Sequence, residues 1–152
     1  MVINRFWVFL LAILSVTSLI ATSVNIPSKV SAASTPSISL IGFFNAWNNT
    51  SVPNPTITVT QGDTVTIQLS SGDGVAHRFF VDGDKNGITP DCPGSDVCSN
   101  VFPPSTTLTF TVNFAPGTYT YYCSVHPTTM LGRFLVLQPL VIGGGGRHPL
   151  EM

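Results

Sequence analysis

The sequence predicts one all-β domain, a sandwich or barrel, on three observations. Short runs rich in Thr and Val alternate apolar with polar residues at the period of two that a half-buried strand requires. Clusters of Gly, Pro, Asn and Asp separate those runs at short intervals. No stretch carries a helical apolar period, so the alternating βα units of a parallel α/β fold have no support.

Residues 1–33 read as an export signal. Arg5 precedes an apolar run from Phe6 to Ile20, broken only by Ser15, Thr17 and Ser18, and the small residues of Val30-Ser31-Ala32-Ala33 follow. Cleavage is expected near Ala32 or Ala33. A retained anchor is the alternative, because Phe6–Val24 approaches the roughly 20 residues that span a bilayer. The domain is then expected over 34–138. Its first short strand lies around Ser39-Leu40-Ile41, before a connection rich in Asn and Pro that includes Phe43, Phe44 and Trp47. Ile57 and Val59 alternate with Thr in the next strand, and Val65, Ile67 and Leu69 with polar residues in the one after, Gln61-Gly62-Asp63 turning between them. After the turn-rich Ser70–Gly74 segment, a strand over Ala76–Val81 puts His77, Phe79 and Val81 on one face. Leu108, Phe110 and Val112 share a face in a later strand, as do Tyr119, Tyr121 and Cys123, and Gly132–Leu137 closes the series. Residues 139–152 contain four consecutive glycines and are expected to be a flexible tail, since glycine carries a large ordering cost and no side chain to offset it.

Six Lys and Arg stand against seven Asp and Glu, a formal charge of −1. Loss of the leader removes Arg5 and Lys29 and makes the balance more acidic. No basic footprint for nucleic acid exists. Setting aside the leader leaves about 119 residues, enough for one modest core and too few for two domains.

The chemistry concentrates in Tyr121-Tyr122-Cys123-Ser124-Val125-His126-Pro127-Thr128-Thr129-Met130-Leu131-Gly132. A thiolate, an imidazole and a thioether within eight residues favour copper, because soft sulfur suits Cu(I), imidazole accepts either oxidation state, and zinc has little use for a thioether. His77, inward-facing at the start of its strand, supplies the second imidazole of a His₂Cys site with a weak axial Met. Taken alone, His77 reads more readily as a buried, hydrogen-bonded core histidine; the Cys123–Met130 block is what changes that reading. Cys92 and Cys98, separated by Pro93-Gly94-Ser95-Asp96-Val97, can pair in an oxidising compartment and leave Cys123 free for metal. A different pairing with one free loop cysteine is the alternative. Asp82, Asp84 and Asn86 offer oxygens at alternate positions before Gly87, like the first half of a calcium loop, but the twelfth position is Pro93 instead of a bidentate Glu. An exposed acidic turn explains them as well. Pro127 and Met130 are candidates for an apolar patch around His126, and Tyr122 and Trp47 for covering the metal or lining a partner surface.

The block Tyr-Tyr-Cys-x₂-His-Pro-x₂-Met-x-Gly, preceded by Pro116-Gly117-Thr118-Tyr119 and the distant His77, resembles the small blue copper proteins, the cupredoxins of the plastocyanin and amicyanin type. The resemblance extends over residues 56–137, except for 82–104, which reads as an insertion. It implies a Greek-key β-sandwich, equatorial copper ligands at His77, Cys123 and His126, an axial ligand at Met130, and single-electron transfer without bond chemistry. The expected protein is therefore a non-enzymatic, mononuclear type 1 copper carrier, exported to the periplasm or the outer face of the cell membrane. Its partners would be a protein electron donor and acceptor, with membrane association only through an uncleaved leader or a membrane-bound redox partner. Copper storage or delivery, and a binding module without metal, are the alternatives.

Overall fold

The computed structural model describes residues 29–48 and 53–142, which form two facing sheets and a small ribbon. The expected leader up to residue 28 and the glycine run from residue 143 lie outside the described residues. One sheet contains β2 (Ser37–Phe43), β3 (Ala46–Trp47), β5 (Thr64–Ser71) and β8 (Ser105–Thr111), in the order β3-β2-β5-β8. The other contains β4 (Ile57–Thr60), β6 (Phe79–Asp82), β7 (Val97–Cys98), β9 (Gly117–Cys123) and β10 (Leu131–Leu137), in the order β4-β10-β9-β6-β7. β2 runs parallel to β5 and β4 parallel to β10; the other pairs are antiparallel. The chain crosses between sheets after β3, β4, β5, β7 and β8, and no helix occurs among the described residues.

The sequence alternation explains the layering. Val65, Ile67 and Leu69 of β5 point inward and meet Ile57, Val59, Tyr121, Phe134 and Val136 from the facing sheet in one core. Each such side chain, once fully buried, contributes about 1.5–3 kcal/mol through the water it sheds. β6 departs from simple alternation, because all four of its residues are buried. Phe79 and Val81 face the core. Phe80 faces outward, stacks on Tyr122 with ring centroids 5.2 Å apart, and pairs at the backbone with Cys98. The expected insertion thus supplies an edge strand beside β6 and carries the Cys92–Cys98 disulfide.

The end of the sandwich away from β6 is closed by a buried carboxylate. Gly62, at φ 92°, makes the Thr60–Asp63 turn, in which the Asp63 amide donates to the Thr60 carbonyl at 3.0 Å. Asp63 Oδ2 accepts from the Thr60 amide, and its Oδ1 accepts both the amide and the hydroxyl of Ser34, each at 2.8 Å. Burial opposes the charge on Asp63, but these hydrogen bonds outweigh it and hold the carboxyl below its ordinary 3.8. Just upstream, β1 (Lys29–Val30) pairs with β11 (Val141–Ile142), so a piece of the expected leader lies against a piece of the expected tail.

Candidate metal centre

The pocket lies at the opposite end, where β9 stops and β10 begins. Cys123 is the last residue of β9; its amide donates to the Met130 carbonyl at 2.8 Å, which brings the two ends of the intervening loop together. Within the loop, the His126 amide donates to the Cys123 carbonyl at 3.1 Å and the Met130 amide to the His126 carbonyl at 3.0 Å. These turns explain the sequence spacing: each separation closes a backbone hydrogen bond while returning a side chain to the same pocket. His77 comes from the chain just before β6, fixed by a two-way bridge in which its amide donates to the Phe102 carbonyl and the Phe102 amide to its own carbonyl. The Ser124 amide donates to the Arg78 carbonyl at 2.9 Å, tying the loop to the His77 segment.

The four expected site residues therefore come from two distant stretches and meet at one end of the core. Cys123 Sγ lies 3.8 Å from Nδ1 of His77 and 3.8 Å from Nδ1 of His126. One donor atom from each of the three lies within 4.8 Å of the others. An ion with bonds of about 2.0–2.3 Å, the usual lengths to imidazole nitrogen and thiolate sulfur, fits between atoms so spaced. His77, Cys123 and Met130 have no solvent exposure, while His126 is partly exposed. Burial, with a smaller effect from nearby His77, lowers the pKa of His126 against a weaker opposing pull from Asp73. Both effects favour the neutral imidazole that metal ligation needs.

Three neighbours escape the sequence reading. Phe44 is 61% exposed and meets the His126 ring edge-on at 4.8 Å. With exposed Val125 it makes the apolar surface around His126 that was expected of Pro127 and Met130. Pro127 is partly exposed, but Met130 is buried and cannot form that surface. Asn54 bridges the connection and the ligand loop: its Oδ1 accepts from the Trp47 amide, and its Nδ2 donates to the Thr129 carbonyl at 2.9 Å. Asp73 lies in a turn and accepts from His77 Nε2 at 3.1 Å. Burial works against the Asp73 charge, but hydrogen bonds from the Val75 amide, His77 and Ser71 bring the carboxyl down to about 2. Trp47 is buried 6.1 Å from His77, centroid to centroid, among Phe79 and Tyr121. Among the described residues its buried Nε1 donor meets no hydrogen-bond acceptor. Tyr122 faces away from the pocket, beside Phe80.

The calcium expectation finds no support. Asp82 Oδ1 and Oδ2 accept the amides of Asn86 and Gly87, and Asp96 Oδ1 and Oδ2 accept those of Gly83 and Asp91. Asp84 accepts the Asn86 amide and its side-chain Nδ2, so Asn86 turns a nitrogen towards the acidic group instead of an oxygen. Burial raises the Asp96 carboxyl despite its hydrogen bonds, with the charges of Asp91 and Asp82 adding to that rise. The loop closes on itself.

No protein-family model matches the sequence, and no curated protein matches it. Among solved structures, the chain is similar to auracyanin A, a "blue" copper protein from the green thermophilic photosynthetic bacterium Chloroflexus aurantiacus, at 23% identity and a TM-score of 0.50 over 67% of this chain and 98% of that one. It is also similar to a copper nitrite reductase from Nitrosomonas europaea, at 21% identity and TM-score 0.51 over 68% of this chain and 42% of that one. A blue copper oxidase from the same organism gives 20% identity and TM-score 0.51, over 69% and 39% respectively. The two-sheet architecture and these likenesses give the chain the all-β cupredoxin fold, and its His-Cys-His-Met group fits one type 1 copper site.

Proposed function

We propose that this is an exported, mononuclear type 1 copper protein that passes single electrons between protein partners, and that His77, Cys123, His126 and Met130 are the residues that would hold the ion. The observation that carries the reading is the convergence of Cys123 Sγ with Nδ1 of His77 and Nδ1 of His126, 3.8 Å from each, in a pocket that the backbone holds closed. Copper bound there would supply a one-electron couple without making or breaking substrate bonds. The protein's part is to keep the donors fixed and dry: Cys123, His77 and Met130 are all fully buried. His126 reaches the surface between Phe44 and Val125, giving a partner close access to one ligand edge.

Burial of the donors favours electron carriage over copper delivery, which needs ligands that a recipient can reach. A binding module without metal would leave the shared aim of these three donors without a role. The nitrite reductase and oxidase similarities extend over about two fifths of those larger proteins, and no reaction is assigned to this chain. The leader and the Cys92–Cys98 disulfide support placement at the periplasmic or outer membrane face.

Titration with Cu(II), followed optically through a cycle of reductant and oxidant, tests the proposal. One equivalent should give an intense visible thiolate-to-copper band that bleaches on reduction and returns on oxidation. Absence of the band, or its persistence in Cys123→Ser, would refute the assignment.

A further inference from the structure

We propose that Asp73 is the positioning residue for His77: it fixes the imidazole so that Nδ1 serves the metal, and its charge favours the oxidised, more positive state of the site. This rests on the copper reading above. The geometry has three parts. Asp73 Oδ1 accepts His77 Nε2–H at 3.1 Å, and the same oxygen accepts the Ser71 hydroxyl and the Val75 amide, each at 3.0 Å. The carboxylate is thus held by its own turn before the imidazole reaches it. His77 itself is fully buried, whereas the Asp73 side chain retains 22% exposure, so the contact sits at the boundary between core and solvent.

A neutral imidazole carries one N–H and one lone pair, and donation from Nε2 leaves the lone pair on Nδ1. Nδ1 is the nitrogen that faces Cys123 Sγ. The ring has little freedom to turn away. A methyl at Gly42 would lie 2.7 Å from Cδ2 and 3.0 Å from Nε2, so the bare β2 backbone closes one flank of the imidazole. Phe102 lies on another side, with ring centroids 5.8 Å apart. His126 differs: its hydrogen-bond contact among the described side chains is with Cys123, and its outer neighbour is the apolar Phe44. The two histidines therefore divide the work. One is charge-assisted and fixed, and the other is open to a partner.

Outer carboxylates on ligating histidines commonly affect metal affinity about 10–100-fold. Asp73→Asn keeps an acceptor for Nε2–H and removes the charge; Asp73→Ala removes both. In the metal-free protein, long-range proton–nitrogen NMR should find His77 in the Nε2–H form in wild type and Asp73→Asn, and mixed between tautomers in Asp73→Ala. In the copper protein, Asp73→Asn should retain the visible band and move the reduction potential upward, and Asp73→Ala should weaken Cu(II) binding about 10–100-fold. A visible band with the same potential in wild type and Asp73→Asn overturns the electrostatic role. The same tautomer in all three metal-free proteins overturns the positioning role. A wild type that gives no band refutes the copper reading instead, and the NMR comparison still decides what Asp73 does to His77. If Asp73→Ala does not fold, Ser71→Ala replaces it: this change releases one of the groups that hold the carboxylate, and an unchanged potential would count against the assignment.

Discussion

Two clusters of side chains that could bind metal occur among the described residues: His77, Cys123 and His126 at the end of the core, and Asp82, Asp84 and Asp96 beside β6. Both bring their donor atoms within 4.8 Å of one another, yet they differ in what the lone pairs are already doing. All six oxygens of the acidic cluster accept N–H groups from Gly83, Asn86, Gly87 or Asp91. Those carboxylates stabilise a loop. In the other cluster, the hydrogen bonds that hold the segment together use the backbone, leaving the imidazole Nδ1 atoms turned to the sulfur. Proximity alone therefore does not distinguish a metal centre from a folded turn.

The largest test of this contrast exchanges one member from each cluster. His77→Ala should abolish the stoichiometric visible copper band, and Asp84→Asn should leave it unchanged. In parallel, calcium at ~1 mM, the level suited to weak extracellular sites, should leave the thermal midpoint of wild type unmoved. A calcium-dependent rise that Asp84→Asn removes would break the contrast. Next in size, Gly42→Ala would press a methyl on the His77 ring. Overpacking of this kind costs about 1–3 kcal/mol, so denaturant unfolding should register a loss of that order together with a shifted copper spectrum. Unaltered stability and spectrum would mean that β2 does not confine the ring.

Asn54→Ala sharpens the role of the backbone frame, because it releases both the Trp47 amide and the Thr129 carbonyl. A loss of about 1–2 kcal/mol is expected, accompanied by faster hydrogen exchange in the Cys123–Met130 loop than at the Asp82–Asp96 loop. Equal exchange at the two would remove Asn54 from the account. The smallest effect concerns the far end. Asp63 has a folded pKa below its ordinary 3.8, so its stabilisation is complete above that pH and is lost as pH falls through the lower folded value. Asp63→Asn should lower the thermal midpoint at neutral pH and give a shallower decline below pH 3.8 than wild type. Parallel acid limbs would count against the clamp.

The strands were legible because period-two alternation depends only on neighbouring residues, as in Val65, Ile67 and Leu69. The ligand loop was legible for a related reason: Cys123, His126 and Met130 lie within one short stretch, and the chemistry of sulfur beside imidazole narrows the metal. His77 was reached through its strand phase. Its partners were not, since the contact with Asp73 depends on how a turn folds back and the one with Gly42 on a side chain that is missing. Asn54 was hidden by separation, 75 residues from the carbonyl it holds. Phe44 gave no pattern at all, because an exposed aromatic between strands follows no periodic rule. The acidic turn was misleading in the opposite sense: alternating oxygens suggested a ligand set, while the backbone amides that occupy them carry no sequence mark.

β10 runs from the ligand loop to the end of the sandwich where β1 and β11 meet, a length of about 20 Å for seven strand residues. Lys29 and Ile142 sit side by side there. The chain therefore leaves β11 at Ile142 from the pole remote from His126. A partner that docked at His126 would thus meet the face farthest from that exit.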